Sequence, residues 1–192
     1  MAELVVAKTA IPLILTFLGQ FAKKFKGFKT SATVTINNKH REMKLIAPEI
    51  FSPGEIENPL DWSINPGETP KSSKFFAKIG KFTSQGMITY EIFGQRGPNG
   101  SPLYLIVTWK VKLNGGGNSI GIDVLEYEDH PLKNKSLGEK YDLYKELHKR
   151  NAGQNEWPTY NNGAFFSIGG TMDTKRNAKI IITFDHNRRN PV

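Results

Sequence analysis

The chain has no cysteine among its 192 residues, which excludes a disulfide framework and any thiolate metal site and leaves the redox compartment open. Its four histidines, His40, His130, His148 and His186, stand at no metal-ligand spacing. No Gly-x-Ser-x-Gly elbow and no phosphate-binding P-loop occurs; Gly115-Gly116-Gly117 is a bare glycine turn with no Lys-Ser/Thr after it. The acids Asp123, Glu126, Glu128 and Asp129 lack the order of an EF-hand loop, so a solvated strand edge accounts for them better than a calcium site. Also missing is a run of about 20 predominantly apolar, uncharged residues such as a spanning helix needs. Lys8, Gln20 and Lys23 break the greasiest stretch too early. No cofactor, no metal and no enzymatic site is expected.

That greasy stretch, Leu4 to Phe28, itself lacks acids: none follows Glu3 before Glu42. Its apolar residues Leu4, Ala7, Ile11, Ile14, Leu18, Phe21, Phe25 and Phe28 recur at gaps of three and four, one continuous stripe on an α-helix. Pro12 has no amide hydrogen to give, so the helix is expected from about Pro12 to Lys26 behind a looser tail. By periodicity alone such a helix most simply covers its own domain's core. Its lysine-tipped, acid-free character also suits a membrane surface. A signal peptide fits less well, because most of the basic residues follow the apolar run instead of preceding it.

With 38% apolar residues and a mean hydropathy of −0.42, the composition is that of one soluble domain with a substantial core. The net charge of +8 favours an anionic partner. Residues 1–46 hold eight Lys or Arg against two acids, residues 47–70 five acids and no base, and residues 71–120 seven bases against one acid. The basic surplus therefore sits in the amphipathic stretch and in a middle group of strands.

After Lys29 the pattern alternates. Thr30 to Ile36 reads as a strand, Asn37-Asn38-Lys39 as a turn and Arg41 to Ile46 as the returning strand. Ala47 to Pro70, with five prolines and two glycines, reads as a long surface loop held by Trp62. Strands follow at Lys74–Phe82, Met87–Phe93, Leu103–Leu113 and Ile120–Tyr127, and LYLIVTW is expected to be central and buried on both faces. Lys110 and Lys112 alternate onto one exposed face. Ser136 to Arg150 reads as a second helix with Leu137, Tyr141, Tyr144 and Leu147 or His148 on one side. Gly163–Met172 and Lys179–Phe184 close the domain. About eight strands and two helices without βαβ alternation predict a mainly β fold, a β-sandwich flanked by two α-helices: residues 1–29 form the N-terminal helix segment and 30–192 the sandwich.

Lys74, Lys78, Lys81, Lys110 and Lys112 with Phe75, Phe76 and Phe82 are the residue types that hold single-stranded nucleic acid. Phe75 and Phe76 are adjacent, however, so one must point inward, and no RNP or KH signature is present; nucleic acid is not the expected partner.

The amphipathic N-terminal stretch, the basic junction into TVTI, Gly86-Met87-Ile88-Thr89-Tyr90, LIVTW-K-V, D-V-L-E-Y and DLYKELHKR followed by GQNEW together resemble the actinoporins, pore-forming cytolysins. The resemblance implies a secreted monomer whose sandwich docks on a target cell membrane, gathers into a homo-oligomer and detaches its N-terminal helix to line a pore. Leu4, Ile11, Pro12, Ile14, Leu18, Phe21, Phe25 and Phe28 would then be the inserting residues. The headgroup site it implies comprises Phe51-Ser52-Pro53-Gly54 in one loop, Met87, the pair Lys110 and Lys112, and Tyr144, His148 and Lys149 on the second helix. Several family features differ here: the arginine of the loop is absent, the membrane-touching aromatic loop is replaced by Gly115 to Ser119, and lysines stand where a proline is expected. Lysines repel choline and attract lipid phosphate, so acidic lipid is expected beside or instead of sphingomyelin. A non-lytic lipid- or glycan-binding module on the same fold is the alternative.

Overall fold

A computed structural model describes residues 29–153, 159–162 and 165–186. The expected first helix, with Leu4 to Phe28 and the inserting residues named on it, lies outside them. Twelve strands and one helix follow in the order β1 (Ser31–Asn38), β2 (Lys44–Phe51), β3 (Ile56–Glu57), β4 (Ser63–Ile64), β5 (Ser73–Phe76), β6 (Thr83–Arg96), β7 (Pro102–Lys112), β8 (Ser119–Glu126), α1 (Leu137–Asn151), β9 (Ala152–Gly153), β10 (Thr159–Asn162), β11 (Phe166–Met172) and β12 (Asn177–His186). They form two six-stranded sheets, β10-β11-β12-β1-β5-β3 and β4-β2-β6-β7-β8-β9, packed face to face as a β-sandwich.

Alternation fills the space between the sheets. Val34, Ile36, Ile180, Ile182 and Phe184 of one sheet meet Ile88, Tyr90, Leu105, Val107 and Trp109 of the other, all buried. Phe75 points inward onto Trp109, ring centroids 4.7 Å apart, and Phe76 points out, as adjacency in a strand demands. In β7 every residue from Leu103 to Trp109 is buried. Odd positions enter the inter-sheet core, while Tyr104 and Ile106 join Phe51, Met87, Leu132, Tyr144 and Leu147 in a second cluster beneath α1. Burying a Leu, Ile or Phe side chain contributes roughly 1.5–3 kcal/mol, so a strand buried on both faces is worth more per residue than any edge.

The helix begins where a capping box forms: Ser136 Oγ accepts from Glu139 N–H at 3.3 Å, and Glu139 returns a carboxylate to Ser136 N–H at 2.8 Å. His148, Lys149 and Arg150 occupy its last turn, the favourable end for cations.

Four expectations are corrected. Residues 31–38 and 44–51 do not return on each other, because β1 and β2 lie in different sheets and β1 runs parallel to β12 and antiparallel to β5. The crossing is held by side chains: Asn38 Nδ2 donates to the Met43 and Ile64 carbonyls at 2.9 and 3.0 Å, and His40 Nδ1 accepts from the amides of Glu42 and Met43. With Nδ1 an acceptor, His40 Nε2 carries the proton and donates to the Phe165 carbonyl at 3.2 Å. Next, Ala47–Pro70 contains the end of β2 and all of β3 and β4, and Trp62 is 74% exposed; buried Ile64 fastens this stretch. Strand β5 stops at Phe76, leaving residues 77–82 as a loop. Finally, of Gly163–Met172 only Phe166–Met172 is described as strand, β11, with β10 at Thr159–Asn162 before it, and the strand count rises from eight to twelve because β3, β4, β9 and β10 have four residues or fewer, too short for a period-two pattern.

Candidate functional site

Two adjoining depressions open on the outer face of the β6-β7-β8 sheet, at the α1 end. The wider, about 570 Å³, lies between the loop 77–82 and the start of the helix, with Phe51, Pro53, Lys110, Leu137 and Tyr141 on one side and Lys78, Lys81 and Phe82 on the other. The smaller, about 230 Å³, is polar and lined by Lys110, Lys112, Ser119, His148 and Lys149. Lys110 borders both.

The first turn of α1 explains the wide cleft. Tyr144 and Leu147 seat on the sheet and are buried, but Leu137 and Tyr141, on the same side of the helix, overhang its edge and stay 66% and 39% exposed. They form an apolar wall. Phe51, buried at the end of β2, supports it from below with ring centroids 6.0 Å from Tyr141 and 5.7 Å from Tyr144. The outward ring of Tyr141 already carries the ammonium of Lys145, 4.7 Å from its centroid.

The charge of the site is unbalanced. Some lysines elsewhere meet acids: Lys29 with Glu55 at 2.9 Å, Lys74 with Glu57 at 3.9 Å, Lys145 with Asp142 at 2.7 Å. Lys78, Lys81, Lys110, Lys112 and Lys149 have no acidic side chain within 4 Å among the described residues. In the small depression the His148 ring joins Thr108 Oγ1 through Nδ1 and Ser119 Oγ through Nε2, each at 2.9 Å, and stacks on Tyr144. Burial, aided by the nearby Lys110 charge, holds its pKa down to about 4, so it is neutral at pH 7.

The residues expected at the headgroup site are only partly brought together. Phe51, Pro53 and Lys110 meet at the wide cleft, and Lys110, Lys112, His148 and Lys149 at the small one. Met87 and Tyr144 are buried beneath; the Tyr144 hydroxyl donates to the Trp109 carbonyl at 3.1 Å and desolvation raises its pKa. The Ser52 hydroxyl is buried without a hydrogen-bond partner among the described residues. At Gly54 an added Cβ would overlap the Phe76 carbonyl, so glycine there lets the loop lie against β5. By sequence Lys78, Lys81 and Phe82 read only as a strand surface, with nothing to single out Ile79 between the lysines; Gly80 in KIGKF is the signal for a turn. Lys74 does not join this group, since it lies on β5 of the other sheet.

Other sequence candidates have structural roles. His130 accepts from Leu132 N–H through Nδ1 and bonds the Ala47 carbonyl at 3.1 Å through Nε2, and burial lowers its pKa against the raising pull of Glu49. Ala47, at φ 50°, begins the irregularity that shifts the β2-β6 register. Glu126 binds the hairpin amides of Asn99 and Ser101, and Asp123 pairs with Arg150. No group of three metal-ligating side chains occurs among the described residues.

No family model matches the chain, and no curated protein matches its sequence. Among solved structures it is similar to the lipid-binding protein Nakanori, at 17% identity and a TM-score of 0.54 over 93% of this chain and 85% of that one. A second likeness is to the lectin XCL of Xerocomus chrysenteron, in a triply substituted form, at 9% identity and a TM-score of 0.47 over 81% of this chain and 97% of that one. The Nakanori likeness establishes a related fold, the β-sandwich.

Proposed function

We propose that this protein binds membranes through the lysine-lined depressions, taking lipid phosphate there, and that it assembles on the bilayer and opens pores with residues 1–28. The observation that carries the docking is the gathering of five lysines without acidic partners around two joined hollows. Each lysine held near an anionic leaflet contributes about 1 kcal/mol of attraction, and ammonium–phosphate hydrogen bonds are of the strong, charge-assisted kind. A choline group finds less here: its cation would meet Lys78, Lys81 and Lys110, and the one exposed tyrosine face of the cleft is taken by Lys145. The lipid-binding description of Nakanori supports the class of ligand, and the resemblance to actinoporins supports assembly, secretion and the pore.

Vesicle sedimentation and dye leakage test both halves. Anionic vesicles should bind the protein and leak at low salt, with both effects falling steeply at high salt, and Lys78→Glu with Lys81→Glu should abolish both. Equal, salt-insensitive leakage from neutral sphingomyelin vesicles would sink the electrostatic docking. Binding without leakage would leave a non-lytic lipid-binding module.

A further inference from the structure

The apolar rim of the wide cleft continues onto a loop that takes no part in the core. Residues 77–82 turn between β5 and β6, closed by Lys81 N–H donating to the Lys78 carbonyl at 2.9 Å and by Gly80 at φ 79°. At the tip Ile79 is 91% exposed, Phe82 behind it 52%. A lone exposed isoleucine is ordinary. Here Phe82 shares the cleft with the overhanging Leu137 and Tyr141, Lys78, Lys81 and Lys110 line it with them, and Ile79 stands between two of those lysines in the chain. An apolar tip collared by lysines matches the depth profile of an anionic bilayer, whose acyl region accepts the tip while its phosphates accept the collar.

The root of the loop adds a second observation. Ala77 N–H donates to the Thr30 carbonyl at 2.9 Å, and the Thr30 hydroxyl donates to the Phe82 carbonyl at 3.1 Å. Both ends of the loop are thus bonded to one buried residue. Beside it, Lys29 pairs with Glu55 at 2.9 Å and lies over the Phe76 ring at 5.1 Å. Lys29 follows residues 1–28 directly in the chain.

We infer that the loop 77–82 is a wedge that enters an anionic bilayer, Ile79 foremost, and that its bonds to Thr30 set the root of residues 1–28 at the membrane surface. This rests on the membrane-binding reading and goes beyond it by naming the edge that enters, the orientation of the sandwich and the residue that couples the edge to the N-terminal segment.

The absence of cysteine makes the test clean. Full-length Ile79→Cys, Lys29→Cys and, in the exposed β6-β7 hairpin at the opposite end of the sandwich, Pro98→Cys each accept one polarity-sensitive fluorophore and are mixed with phosphatidylserine-containing vesicles, with sedimentation run in parallel. The label at 79 should shift to the blue and be quenched by a shallow acyl-chain spin label, the label at 29 should be quenched by a headgroup spin label, and the label at 98 should stay in water. Sedimentation with the label at 79 left in water overturns the wedge while sparing the headgroup reading. A label at 29 that the headgroup spin label leaves unquenched, beside a buried one at 79, overturns the coupling. Absence of sedimentation by the unlabelled protein overturns the reading on which both rest. Ile79→Ser, unlabelled, should partition onto these vesicles at least about tenfold more weakly with an unchanged melting temperature, and unchanged partitioning counts against the wedge as directly.

Discussion

Two loops at this end of the sandwich exchange the roles their sequences suggest. The glycine run Gly115-Gly116-Gly117 reads as the flexible one, yet it is pinned. The buried Asn118 accepts from Lys112 N–H at 2.9 Å and donates to the Asp173 and Lys175 carbonyls at 3.2 and 2.9 Å, tying the β7-β8 turn to the turn before β12. Gly115, at φ 69°, sits so close to the Thr174 carbonyl that a Cβ there would overlap it. The loop 77–82 reads as the end of a strand, yet beyond its ties to Thr30 its tip stands free, with nothing within 4 Å of the Cβ position of Gly80. Glycine in one loop permits close packing and in the other only a turn. Glycine content alone therefore says nothing of mobility.

The largest effect should separate these glycines. Gly115→Val combines a φ that β-branched residues avoid with an overlap against backbone, and should cost at least about 3 kcal/mol in a denaturant titration. Gly80→Ala, at φ 79° but in open space, should cost only about 1 kcal/mol. Similar losses at the two positions would erase the contrast.

The pinned side also carries a pH weakness. Ser119, next to Asn118, bonds to His148, whose folded pKa of about 4 lies below the ordinary histidine value. The unfolded chain then binds the proton more readily, so this contribution is whole above about pH 6.5 and is lost as pH falls toward 4, on the order of 3 kcal/mol in all. His130 is lowered too and adds in the same direction. His148→Gln should flatten the fall of melting temperature between pH 6.5 and 4.5 without removing it, while substitutions in the loop 77–82 should leave that slope alone. An unchanged slope in His148→Gln would show that the ring is solvated and the depression softer than drawn.

Legibility followed locality. LYLIVTW announced a strand buried on both faces, and Ser136 with Glu139 announced a helix start, because each signal lies within a few residues. The parallel pairing of β1 with β12 joins residues about 146 positions apart, and no local pattern encodes it. Asn37-Asn38-Lys39 suits a hairpin as well as a crossing between sheets; the contacts that decide are the Asn38 bonds to Met43 and Ile64 and the stacking of His40 on Phe184. At the site, Lys110 and His148 were legible from their register on a strand and a helix. Lys78, Ile79 and Lys81 were not, since FFAKIGKF mimics an alternating strand and only Gly80 marks the turn. Tyr144 was legible as part of a helix face, but the side of the face that meets the sheet depends on where β2 ends.

The smallest effect is a sharp one. Ile79→Ser removes the most exposed large apolar side chain described in the protein, and if the tip contacts nothing in the folded state, stability should move by no more than about 0.5 kcal/mol. Slight stabilisation is within that range, since a serine at this position no longer holds apolar surface against water. The same side chain buried in a core would cost 2–5 kcal/mol on truncation to alanine. A loss above about 1 kcal/mol in the chemical melt would mean that Ile79 is packed in solution. In that case the two loops would differ in sequence only, and any affinity for bilayers would have to come from the lysines around the cleft without help from the tip.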